Sequence, residues 1–305
     1  MKAERSFERG DVHARITDEI IKAIEASGEE YVMPWHQRAG GMPRNALTHN
    51  HYHGVNTLAL WVTCQLRGYT SPYFATYRQW SELGAQVRRG EKASPIIYFK
   101  QREAEGEDEP HNDNTPKLPP IMRSSSVFNA EQVDGWQKAE ELPEDRTQQL
   151  ETVDTFISSL GAEVLYGGDI AAYSRAFDRI SMPERRQFVG TETSSATESF
   201  YSVLLHEHVH WSGHPKRLNR DLSGRFGTFA YAMEELVAEL GAAFLCADLG
   251  IYLHPRRDHA FYVRSWLTVL HQEKTAIFTA SSAAQVACRY LKEVALEKSS
   301  ADQCA

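Results

Sequence analysis

The sequence contains no apolar run approaching the roughly 20 residues that a membrane helix requires. The longest run, around Leu240 to Leu245, stops far short, and the mean hydropathy is −0.48. No membrane partner is expected. The opening stretch, MKAERSFERGDVHAR, alternates charges and lacks an apolar core, so no secretory signal is read there and a cytoplasmic location is expected. Cysteine is scarce. Cys64, Cys246, Cys288 and Cys304 are far apart with no CxxC pair, which excludes a disulfide framework and a thiolate zinc site and leaves reduced, buried thiols as the expectation. Positive charge is also short overall, with 33 Lys and Arg against 41 Asp and Glu for a net charge of −8. That balance argues against a chain coated in nucleic acid along its whole length.

The average hides a segregation. Residues 31–100 hold eight basic side chains, Arg38, Arg44, Arg67, Arg78, Arg88, Arg89, Lys92 and Lys100, against Glu82 and Glu91 alone. This window is therefore +6 and the remainder of the chain −14. It also carries eleven aromatic residues, from Tyr31 to Phe99, and His36, His49, His51 and His53. Basic groups release counterions from phosphates, and aromatic faces stack on unpaired bases whatever their identity. The composition suits a binder of single-stranded DNA. Candidate contacts are Arg38, Arg44, Tyr52, Asn56, Trp61, Arg67, Tyr73, Tyr77, Arg78, Trp80, Arg88, Arg89 and Lys92. An ordinary core for Trp61, Tyr98 and Phe99 and a solvated face for the arginines is the competing expectation.

The expected fold class is α+β in two domains, 1–140 and 150–305, with the boundary near residue 145. Asp11 is placed to cap a helix carrying Val12, Ile16, Ile20 and Ile24, with Gly28 as its stop, and NTLALWVTCQLRG reads as a second helix ended by Gly68. SPIIYFK is a strand after the turn-like RRGEK. REAEGEDEPHNDNTPKLPP is an acidic loop, and MRSSSVFNAEQVDG closes the first domain. AEVLYGG and AAYSRAFDRISMP have strand-like content, and a sheet edge formed there could receive a peptide as an added strand.

The segment ESFYSVLLHEHVHWSGHPKRLNR contains His206-Glu207-His208-Val209-His210, an HExxH pattern. On a helix, positions i and i+4 share a face, so His206 and His210 can present two imidazoles to one divalent ion. Glu207 beside them can take a proton from a water acidified by that ion, as amide hydrolysis requires. Ser194 or Ser195 supplies the helix start, and Gly213 with Pro215 its end. A zinc site of this kind needs a third protein ligand. In YAMEELVAELGAAFLCADLG, Glu235 and Glu239 are again i and i+4: one is expected to ligate and the other to accept from a ligating imidazole, with Glu235 the first choice and Glu239 the alternative. His208 is expected off the metal face, His214 in the turn, and Tyr173 within reach of the site. Zinc is the expected ion, with manganese the alternative, because His and carboxylate donors suit both.

Several blocks together resemble a known family. PWHQ, PRNALTHNHYHGVNTLALW, GYTSPYFATYRQWSELGAQVRRGEK and VFNAEQVDG are similar to the N-terminal single-strand-binding domain of ArdC antirestriction proteins and TraC-type plasmid primases. DRISMP, LLHEHVHWSGHPKRLNR and YAMEELVAEL resemble the zincin-like metallopeptidase domain that follows it. The resemblance implies a plasmid-borne protein that binds incoming single-stranded DNA during conjugation and counters host restriction. It places His206, His210 and the EELVAE glutamates at the metal and Glu207 as base, and it makes a host restriction component a candidate protein target. His208 departs from the aliphatic residue expected there. No primase or helicase motif follows. A single-strand shield with a purely structural metal domain and a protease for DNA–protein crosslinks are the alternatives.

Overall fold

Ile16, Ile20 and Ile24 line one face of helix α1 (Arg9–Ala26) and are at most 2% exposed. The computed structural model describes residues 9–26, 35, 41–100, 121–137, 146–190, 195–225, 227–251 and 259–302. Helix α1 begins two residues before Asp11, which therefore lies within its first turn instead of capping it. Helix α2 (Val55–Arg67) matches the predicted helix and ends at Gly68, whose φ of 70° is the left-handed conformation that glycine adopts most cheaply. Strands β1 (Arg44–Asn45), β2 (Tyr73–Thr76), β4 (Ser94–Lys100) and β5 (Ile121–Asn129) form one sheet in the order β1-β2-β5-β4. The predicted strand SPIIYFK is β4, paired antiparallel with β5 from Ser94 opposite Val127 to Lys100 opposite Ile121. Helix α3 (Tyr77–Glu82) and the short ribbon of β3 (Gln86–Val87) with β6 (Val133–Asp134) complete this half.

The second half opens with α4 (Arg146–Leu160) and a three-stranded sheet in the order β7-β9-β8, made of β7 (Glu163–Tyr166), β8 (Ala172–Ser174) and β9 (Arg179–Met182). Strand β8 lies at the edge of that sheet. Four helices follow: α5 (Ala196–Ser212), α6 (Phe229–Asp248), α7 (His259–Gln272) and α8 (Ala276–Asp302). The architecture is α+β, as expected.

The largest buried cluster runs through both halves, joining Ile16, Trp61 and Ile97 to Leu205, Phe244, Trp266 and Leu291. Trp61 packs its ring 5.8 Å from that of Phe244, and Thr17 donates to the Lys274 carbonyl at 2.7 Å. Helix α1 thus packs on α2 and α7, and α2 buries Leu60 and Cys64 against Phe74 and Val127 of its own sheet while turning Trp61 to the helical half, since apolar area is stabilised wherever it leaves water. The predicted acidic loop at 101–120, the boundary near 145, Arg38, Gly28 and Cys304 lie outside the described residues.

Candidate metal centre

Helix α5 starts where the sequence places it. The Ser195 side chain accepts from the Glu198 N–H, and the Glu198 carboxylate accepts in turn from the Ser195 N–H at 2.9 Å, a reciprocal cap worth about 1 kcal/mol. From this anchored start the helix carries His206, Glu207 and His210 about three to four turns further on, all but His210 buried.

His206, His210 and Glu235 converge: one donor atom from each lies within 4.8 Å of the others. The His206 and His210 Nε2 atoms are 3.1 Å apart, and the Glu235 carboxylate oxygens lie 3.6 Å from each. Tetrahedral zinc with metal–nitrogen bonds near 2.0–2.1 Å separates its ligand atoms by about 3.3 Å, so the donor set fits a divalent ion. Two imidazole nitrogens turned toward each other beside a carboxylate are also an arrangement that a cation reconciles. The alternatives left by the sequence separate here. Glu235 faces both imidazoles, whereas Glu239 lies behind His206, its Oε2 3.7 Å from Nδ1.

Sequence reasoning missed one supporting residue, Arg220, and placed Glu234 only among the EELVAE glutamates without a role of its own. Glu234 Oε1 accepts from His210 Nδ1 at 3.1 Å, which leaves Nε2 of that ring for the metal. Arg220 reaches both Glu234 oxygens, at 3.0 and 2.9 Å, and the Val209 carbonyl at 2.6 Å. Burial alone would push the Glu234 carboxyl up, but the bonds from His210 and Arg220 outweigh it and hold it below the usual carboxylate range. The available signal was helical: residues 234 and 235 are about 100° apart, so adjacent glutamates cannot both face one ion.

Glu207 Oε2 accepts the backbone N–H of Tyr173 on edge strand β8 at 2.8 Å. The Tyr173 main chain thus reaches the site, while its side chain turns away: the hydroxyl donates to Asp178 at 2.9 Å. Arg217 holds Asp178, depressing that carboxyl below its usual value, and stacks over Trp211 at 3.9 Å. A cleft lined by Ala172, Tyr173, Glu207, His210, Tyr231 and Glu235 opens from the ligands along β8. His208 points into the core with its Nδ1 2.8 Å from the Leu204 carbonyl, and burial lowers its pKa to about 4. It lies off the face of His206 and His210, as expected, and is a buried packing residue. His214 sits in the turn after α5, its N–H bonded to Trp211 O.

The candidate DNA contacts divide sharply. Trp61, Tyr73 and Trp80 are at most 4% exposed, and Trp80 donates to the Phe128 carbonyl at 3.0 Å. Stacking a base on any of them would require opening an apolar cluster, so their expected role as stacking platforms is corrected to core packing. Asn56 bonds both ways to the Ile97 backbone, at 2.7 and 2.9 Å, and so ties α2 to β4. Tyr52 is half-buried beneath Asn45 and the Phe74 carbonyl, and Arg44 is half-buried 5.4 Å from the Tyr73 ring. Arg88 is engaged by Glu91, Asp134 and the Val133 carbonyl. Tyr77, Arg67, Arg78, Arg89 and Lys92 remain exposed, and Tyr77 and Arg89 line one shallow groove with Gln86 and Asp134.

Cys64, Cys246 and Cys288 are buried and unpaired with one another, and burial raises each thiol, Cys64 and Cys288 to about 12. Because the thiolate is the reactive form, these three should stay silent to Ellman's reagent at pH 8 in the native protein and react on denaturation. Reaction of more than one thiol per native chain would contradict this packing.

A family model described as the N-terminal domain of anti-restriction factor ArdC matches residues 10–128, and one described as a zincin-like metallopeptidase matches 151–283. The crystal structure of antirestriction ArdC protein from the R388 plasmid is 34% identical, with a TM-score of 0.74 over 94% of this chain and 98% of that one in its metal-free form. The chain belongs to the ArdC antirestriction family. The Mn(II)-bound R388 ArdC structure aligns as well, with a TM-score of 0.75 over 95% of this chain. The uncharacterized protein y4eC of Sinorhizobium fredii is 42% identical over 282 residues, covering 90% of this chain and 89% of that protein. DNA primase TraC of Escherichia coli is 33% identical over 289 residues, of which this ArdC-family chain spans only 26%. A zincin-like domain here and a Mn(II)-bound relative imply a divalent metal. Among the described residues no helix is long and apolar enough to cross a membrane.

Proposed function

We propose that the protein is a plasmid antirestriction factor that binds single-stranded DNA non-specifically during conjugation and cleaves protein at its metal centre. The observation that carries the second part is the convergence of His206, His210 and Glu235 with Glu207 held beside them at the head of the β8 cleft. A divalent ion bound by those three residues, zinc or manganese, supplies Lewis acidity toward a carbonyl and a water. Glu207 accepts the proton of the attacking water and returns it to the departing amine. The Tyr173 N–H fixes the Glu207 carboxylate, and edge strand β8 aligns an extended peptide across it. The protein target is a host restriction component encountered on entering DNA, and the site of action is the bacterial cytoplasm.

DNA binding rests on the charge segregation and on the exposed Arg67, Tyr77, Arg78, Arg89 and Lys92. Each neutralised phosphate of a single strand adds about 0.7 to the slope of log affinity against log salt. Replacing Arg89 and Lys92 with alanine should therefore flatten that slope by about 1.4 and weaken binding of unrelated oligonucleotides equally. An unchanged slope in a fluorescence-anisotropy salt titration would remove both residues from the interface.

The whole reading is tested by conjugative transfer into a restricting recipient, with wild type and Glu207→Ala at matched expression. Loss of protection in the variant, with DNA binding intact, is the expected outcome. Full protection would make the protein a shield whose metal domain is structural.

A further inference from the structure

Trp35 belongs to the N-terminal half, yet it is only 4% exposed and its indole N–H donates to Glu239 Oε1 on α6 across 3.3 Å of buried space. The other oxygen of the same carboxylate, Oε2, lies 3.7 Å from Nδ1 of His206. The indole ring is steadied by Trp266 of α7, with ring centroids 6.4 Å apart. An indole has one polar hydrogen and no acceptor, so its burial is economical only when that hydrogen is used. Here it is used on the carboxylate that backs a metal ligand.

We propose that Trp35 is a positioning residue of the metal centre: by holding one oxygen of Glu239 it presents the other to His206 Nδ1, so that the N-terminal half completes the site carried by the C-terminal half. The proposal rests on the metal-site reading above. Groups behind a ligating imidazole fix its tautomer and ring orientation and raise its basicity, and their loss costs about 10-fold to 100-fold in metal affinity. His210 receives this support from Glu234 within its own half, through the 3.1 Å bond to Nδ1. Behind His206 the corresponding carboxylate is Glu239, 3.7 Å from Nδ1 and held on its other oxygen by a residue far away in sequence, which makes the state of the N-terminal half felt at the metal.

The test measures Zn(II) and Mn(II) dissociation constants of the full chain by chelator competition. Trp35→Phe is made in wild type and in a Glu239→Leu background, and thermal unfolding of the metal-free forms controls for packing. The expected result is about a ten-fold weaker affinity in the Glu239 background and no further loss once Glu239 is Leu. A purely structural role for the ring predicts equal losses in both backgrounds, and that outcome, or an unchanged affinity in Trp35→Phe, overturns the proposal. If Trp35→Phe does not fold, site-specific replacement by β-(3-benzothienyl)alanine removes the N–H while keeping the ring volume, and the same two outcomes decide. Failure of the wild type to bind either metal stoichiometrically would instead overturn the metal-site reading.

Discussion

Glu207→Gln is expected to keep its metal and its fold and to lose hydrolysis of labelled casein by about 10²-fold to 10⁴-fold, the range over which a positioned general base contributes. Gln is nearly isosteric with Glu, and its amide oxygen can still accept the Tyr173 N–H that Glu207 accepts at 2.8 Å. The three residues whose donor atoms converge, His206, His210 and Glu235, do not include Glu207. The substitution therefore removes a proton acceptor and leaves geometry alone. Two measurements read it: the rate of peptide release and the metal content of the purified protein. Loss of metal with loss of rate would show that Glu207 acts on the site's structure, and a rate within a few-fold of wild type would mean that another group takes the proton.

Gly241→Ala is expected to loosen the metal centre from a position that touches no ligand. A Cβ at this position of α6 would lie 2.8 and 3.0 Å from the two γ carbons of Val209 on α5. Val209 is completely buried, and a valine in a helix has essentially one rotamer, so it cannot step aside. The helices must separate instead, at a cost of about 1–3 kcal/mol for overpacking. Because α5 carries both histidines and α6 carries Glu235 and Glu239, the same movement spreads the donor atoms. Metal affinity should fall on the order of ten-fold, since such sites tolerate little displacement. A second substitution, Val209→Ala, should restore affinity by making room for the new methyl group. Wild-type affinity and melting temperature in Gly241→Ala would show that α6 has slack the packing distances deny.

What the local pattern could supply was the chemistry borne on single helices. The i and i+4 spacing of His206 and His210, the Ser195 start and the Gly213 stop are properties of one helix, and helical geometry alone puts the two rings on one face. The same geometry paired Glu235 with Glu239 but could not choose between them, because the choice depends on how α6 crosses α5, a packing in which Gly241 comes close to Val209.

Aromatic content likewise announced a basic, ring-rich window without saying which rings meet solvent. Trp61, Tyr73 and Trp80 went into the core because large apolar area is most stabilised where it is fully covered, and α2 found that cover on Phe244 in the other half of the chain. Tyr77, Arg89 and Lys92 stayed outside. By itself, then, the sequence determined that His206 and His210 share one helix face with Glu207 beside them, the α+β class and the segregated charge, all of which follow from short-range periodicity or from counting. Only the tertiary structure decided that Glu235 faces both imidazoles while Glu239 and Glu234 stand behind the histidines, that Arg88 is spent on its own neighbours, and that the Trp35 indole reaches Glu239. Each of those depends on contacts between residues far apart in the chain, and no local pattern encodes such a distance.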